Sequence, residues 1–160
     1  MGSPTLDPGT VGDMTDGNGG TRRSGLTPGQ SAVELRVAAQ LENLAVLRTL
    51  VGAVGTFSDL DFDAVADLRL AVDEACTRLI RSAVPGATLV VVVDPRDDDV
   101  VVQASTVCHT DDVVTPGSFS WHVLSSLAHD VVTFRDGQEA GMDGRVFGIT
   151  LTTRRASTSR

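Results

Sequence analysis

Glu74 and Arg78, four residues apart, are the side chains in this chain whose types and spacing could do chemistry. A carboxylate can take a proton from an attacking hydroxyl, and a guanidinium can hold phosphate oxygens in a fork of donors. On a helix the same spacing also makes a plain ion pair, worth a few tenths of a kcal/mol. Both readings stay open on these residues alone. Cys108, His109, His122 and His129 are donors a metal would accept, but their spacing matches no common zinc pattern and no metal site is expected. Cys76 and Cys108 form no CxxC pair, and Cys108 beside His109 reads either as a redox thiol or as a plain surface thiol in a loop. All 13 basic residues are Arg. Without Lys the chain has neither a P-loop nor the strand lysine of a eukaryote-type protein kinase.

These side chains need elements to position them. Asp61 to Val84 contains no Gly or Pro and stops before Pro85-Gly86, which predicts a long helix, with Ser58, Asp59 or Asp61 as its N-cap. Val65, Leu68, Val72, Cys76, Leu79 and Ala83 recur at spacings of three and four and form its apolar face, so Cys76 reads as a small core residue. Asp63, Asp67, Glu74, Arg78 and Arg81 lie opposite. Upstream, Val33, Leu35 and Val37 alternate with Glu34 and Arg36 as a half-buried strand. A first amphipathic helix over 41–54 follows, with Arg48 facing away from the core, and 55–61 is read as a short connection. Downstream, 87–93 and 100–107 form a hairpin around an acidic turn, Asp94 to Asp98, that is expected to be solvated. After a polar loop over 109–117, a third helix over 119–130 has Phe119, Val123, Leu124, Leu127 and Ala128 on its apolar face and Trp121 as core or lid packing. Strands over 131–134 and 146–152 close the chain, with Phe147, Ile149 and Leu151 inward. Strand, helix, helix, strand, strand, helix, strand, strand predicts an α/β fold. The architecture expected is a two-layer α/β sandwich, a mixed, mostly antiparallel sheet with helices on one face.

A length of 160 residues suits one domain, placed at 31–154. Residues 1–30 hold eight of the 16 glycines and three of the six prolines and read as a disordered tail, with 155–160 a shorter one. One Trp, five Phe and no Tyr require an aliphatic core. A net charge of −8 argues against direct nucleic-acid binding and suits a partner with a basic surface. No apolar run approaches the roughly 20 residues of a membrane helix, and the expected setting is cytoplasmic, away from membranes.

That element order, together with Leu68-Arg69-Leu70-Ala71-Val72-Asp73-Glu74-Ala75-Cys76-Thr77 and the segment Leu127-Ala128-His129-Asp130-Val131, resembles the RsbW/SpoIIAB family of bacterial anti-sigma factors. Within that family the resemblance is to actinobacterial anti-sigma-F proteins of the UsfX type, and it covers about residues 32–153. The family belongs to the GHKL group of ATPase and kinase domains, with the Bergerat fold. The resemblance implies a homodimer that holds an alternative, stress-type sigma factor and lets it go when an anti-anti-sigma factor binds instead. Many members are also ATP-dependent serine kinases that phosphorylate this antagonist. On that pattern Glu74 is the catalytic residue, Arg48 the partner-binding residue, and Arg78, Ser105 and Thr106 the nucleotide-binding candidates.

The sequence departs from the family pattern where the chemistry sits. The family's magnesium-ligating Asn is Arg78, and magnesium wants oxygen ligands whereas guanidinium offers only donors. The adenine-reading D-x-G-x-G box is replaced by Ala104-Ser105-Thr106-Val107-Cys108-His109. The glycine box before the third helix is Ser118-Phe119-Ser120-Trp121, and Gly-Gly-Thr is reduced to Gly141-Met142-Asp143-Gly144-Arg145. The expectation is therefore an anti-sigma factor with a partly degenerate pocket, to which no cofactor is firmly assigned. An active serine kinase using ATP and magnesium is the alternative.

Overall fold

The computed structural model describes Gly2 and residues 27–157. Most of the expected tail 1–30, and 158–160 of the shorter tail, lie outside the described residues. In chain order the elements are β1 (Val33–Ala38), α1 (Leu44–Phe57), α2 (Phe62–Ser82), β2 (Thr88–Pro95), β3 (Asp99–Cys108), α3 (Phe119–Leu127), β4 (Asp130–Arg135) and β5 (Arg145–Arg154). A 3-10 turn, Leu41–Asn43, leads into α1. The strands form one sheet in the order β1-β2-β3-β5-β4. Every pairing in it is antiparallel, which corrects the expected mixed sheet: β3 and β4, which run the same way through α3, are separated by β5 and never pair.

Register assigns the two faces. Val91 and Val93 of β2, Val102 and Ala104 of β3, and Phe147, Ile149 and Leu151 of β5 belong to one buried cluster with Leu68, Val72, Cys76 and Leu79 of α2. Because strand side chains alternate, residues between these, such as Val92, Gln103, Ser105 and Thr150, project from the opposite face. The result is the two-layer α/β sandwich expected, with α2 contacting β3 and β5 and with α1 and α3 contacting α2 on either side.

Two helix ends and the burial of two residues differ from the sequence expectation. Helix α1 runs on through Gly55 to Phe57. Gly55 is buried, and a Cβ there would come within 3.3 Å of Val65 Cγ2, so the glycine serves close approach of α1 to α2 and does not break the helix. Helix α3 stops at Leu127, because His129 N donates to Thr152 O and Asp130 pairs with Thr152 in the sheet. Phe119, expected on the apolar face of α3, is 78% exposed. It is the first residue after the N-cap Ser118, where the helix has not yet turned its face to the core. In the acidic turn Asp97 and Asp98 are exposed, but Asp94 is buried, accepting from Gly29 N at 3.2 Å and from Arg96 Nε at 3.1 Å.

Candidate functional site

Helix α2 starts cleanly because the Asp61 side chain accepts from Ala64 N at 2.7 Å, which satisfies one of the free first-turn amides. Its end is pinned to the sheet, since His109 N donates to Ser82 O at 3.1 Å and Ala83 bridges Cys108. With both ends held and one face buried, the half-buried residues Glu74 and Arg78 have little freedom to rotate out of place. Arg78 Nε donates to Glu74 Oε1 at 2.9 Å. Ser120 Oγ, from the first turn of α3, donates to the same oxygen at 3.1 Å. The ion pair and the neighbouring helix thus converge on one carboxylate oxygen.

One residue before Glu74, Asp73 holds Arg48. Arg48 Nε lies 2.7 Å and its terminal nitrogen 2.6 Å from Asp73 Oδ1. The expected outward-facing Arg of α1 is therefore held against α2 through Asp73, on the α1 side of that helix. Asp73 and Ser120 stood in the sequence only within matched segments, with nothing to mark them as partners of Arg48 and Glu74. Asp73 is 25 residues from Arg48 and Ser120 is 46 from Glu74, so only the packing of α1 and α3 on α2 brings the partners together.

Ser105 and Thr106 lie on β3, and no described contact joins them to Glu74. Thr106 is fully buried and its hydroxyl donates to Thr88 O at 2.9 Å. Ser105 is buried on the sheet face turned away from the helices. His109, His122 and His129 are exposed, and His129 Nδ1 accepts from Arg154 N at 3.1 Å. Among the described residues no three His, Cys, Asp or Glu side chains converge as a metal set. Cys108, expected in a loop, is instead the last residue of β3 and buried, with Sγ 3.8 Å from Thr106 O. Burial pushes its thiol up to about 11. Cys76 is buried as expected, and desolvation, reinforced by the charge of Asp73, pushes its thiol up to about 12. Both are neutral thiols near pH 7, and thiolate is the reactive form.

The segments that the resemblance sets in the place of glycine boxes have structural work. Ser118 caps α3, its Oγ accepting from Trp121 N at 3.2 Å, while Trp121 packs against the core. Gly144 lies so close to the end of β3 that an added Cβ would be 2.5 Å from Cys108 O. As a donor set for magnesium the centre fits poorly: beside the carboxylate of Glu74 stands a guanidinium that carries positive charge and offers only donors.

No family model matches the chain. Two curated relatives do: the chain is 74% identical over 132 residues to the anti-sigma-F factor RsbW of Mycobacterium tuberculosis strain CDC 1551 / Oshkosh, and equally so to that of strain H37Rv. In each case the match covers 82% of this chain and 79% of the relative. Identity at that level across most of both chains, over a fold with the expected element order, shows that this chain belongs to the RsbW family of anti-sigma factors.

Proposed function

We propose that this protein is an anti-sigma factor that sequesters an alternative, sigma-F-like sigma factor, that anti-anti-sigma antagonists release it, and that its nucleotide cleft is partly degenerate. Family membership supports the sigma-holding part. The observation that carries the loss of catalysis is the carboxylate of Glu74, whose Oε1 is taken by Arg78 and by Ser120. In the GHKL pattern that carboxylate serves the attacking hydroxyl while a neighbouring Asn ligates magnesium. Here the neighbour is a cation that repels magnesium and supplies its charge to Glu74 instead. Arg48, oriented by Asp73 on the α1 surface, is the residue we assign to partner contact. A homodimer belongs to the same proposal, and family membership is what supports it. The setting we assign is the cytoplasm, and no described helix is long and apolar enough to cross a membrane.

The second reading is a serine kinase. It is favoured by Glu74 Oε2, which has no hydrogen-bond partner among the described residues and could still accept a substrate proton, with Arg78 turned to phosphate. Two measurements decide. Titration of a sigma-F-type factor into wild type and Arg48→Ala should show weaker binding by the variant at a nearly unchanged Tm, because an exposed ion pair contributes only about 0–1 kcal/mol to stability. Equal binding by the variant removes Arg48 from partner contact. Transfer of labelled phosphate from ATP to a purified anti-anti-sigma serine would establish the kinase reading.

A further inference from the structure

Phe57 and Phe62, at 88% and 90% exposure, are the most exposed large apolar side chains among the described residues. They flank the turn that joins α1 to α2. From there a groove of about 560 Å³ runs between the two helices, with the buried Leu60 in its wall and Gly52 on its α1 side. At its other end lie Arg48 and Arg69, which are the charged groups lining it. Arg48 is paired with Asp73, whereas Arg69 makes no ion pair among the described residues. The Arg69 stem lies over Gly52, its Cδ 3.4 Å from where a Cβ would be. The surface thus has an aromatic end and a cationic end.

We propose that this groove is a docking site for an amphipathic, acidic helical segment of the sigma factor, its apolar side chains on Phe57 and Phe62 and a carboxylate on Arg69. The proposal rests on the sigma-holding reading above and extends it from the single residue Arg48 to a surface. Two observations set the chemistry of the occupant. Length is the first: Phe57 lies nine positions along the helix from Arg48, about 13 Å, which accommodates the i, i+3/i+4, i+7 anchors of a helix laid in a groove. Charge is the second. The groove's lining is cationic on a chain of net charge −8, so it opposes the overall field. The acidic surface at large draws in a basic partner, while this site repels basic segments and selects an acidic one, which fixes register.

The test uses the full chain and a purified sigma-F-type factor. The double variant Phe57→Ser/Phe62→Ser removes only exposed side chains, so its Tm should match or exceed that of wild type. Calorimetric titration should show its affinity for the sigma factor weakened by about tenfold or more, as for loss of buried aromatic anchors. Arg69→Glu should weaken binding as well and flatten its dependence on salt. Binding by the double variant within twofold of wild type overturns the groove while leaving the anti-sigma reading intact. A wild type that fails to bind the sigma factor overturns both. Two other occupants are separable, and each overturns the proposal. Tighter sigma binding by a variant lacking residues 1–26 assigns the groove to the chain's own leading segment. A change in the oligomeric state of the double variant without sigma factor assigns it to a second copy.

Discussion

A carboxylate acts as a base only when an oxygen faces the proton it is to take, and at position 74 one oxygen already carries two donors from different helices. The pair Glu74–Arg78 is half-buried, so its contribution to stability stays within a few tenths of a kcal/mol and its consequence is mainly chemical. Another charge effect at this scale is readable in stability. The Cys76 thiol is raised to about 12 in the folded protein against 9.0 unfolded. Between those values the unfolded chain sheds a proton that the folded chain retains. The stabilisation is therefore fully present below pH 9 and declines as pH rises toward the folded value, by about 1.4 kcal/mol per pH unit for one thiol. Urea unfolding across that range should show the decline, and Cys76→Ala should flatten it. An unchanged slope in the variant would mean that another group, not Cys76, sets the alkaline stability.

At the scale of elements, one loop glycine is placed by packing against the end of β3. A Cβ added at Gly144, which the resemblance sets in a glycine box, would meet the carbonyl of Cys108 and the side chains of Val84 and Val107. Val84, Val107, Val146 and Ala87 form a small second cluster there, separate from the main core, which seals the end of the β3–β5 pair. Gly144→Ala must move backbone, not the tip of a side chain, and should lower stability by about 1–3 kcal/mol. The measurement is chemical denaturation, with sigma binding by the refolded variant as the control. A neutral effect on stability would return Gly144 to the list of ligand-contacting glycines. Helix α2 links these two regions: capped by Asp61 and tied to β3 through Ser82 and Ala83, it holds Glu74 against α3 while closing the second cluster.

For the molecule as a whole, the two layers leave different surfaces. One sheet face is filled by three helices. The helical layer's outer surface carries Arg48, Arg69 and the two exposed phenylalanines, the residues proposed above for partner contact, on one side of an otherwise acidic chain. If the nucleotide cleft no longer seats its ligand, stability of the whole fold is indifferent to that ligand. Addition of millimolar ATP and magnesium should leave Tm within about 1 °C. A ligand at 100 times its Kd would add about 2.7 kcal/mol and raise Tm by several degrees. A shift of that size would overturn the degenerate cleft.

What the sequence by itself determined is the local part of this protein. Apolar periods of two and near 3.6, the Pro85-Gly86 stop and the cap candidates Ser58, Asp59 and Asp61 placed α2 and the strands closely, because those signals act between neighbours along the chain. Only the tertiary structure decided the rest. Gly55 reads as a break until Val65 is packed against it, and Asp94 reads as solvated until Gly29 and Arg96 close over it. The partners of the two residues that matter most, Ser120 for Glu74 and Asp73 for Arg48, come from 46 and 25 residues away. No pattern in one sequence encodes such pairs, since helix packing, not spacing, sets which side chains face each other across α1, α2 and α3.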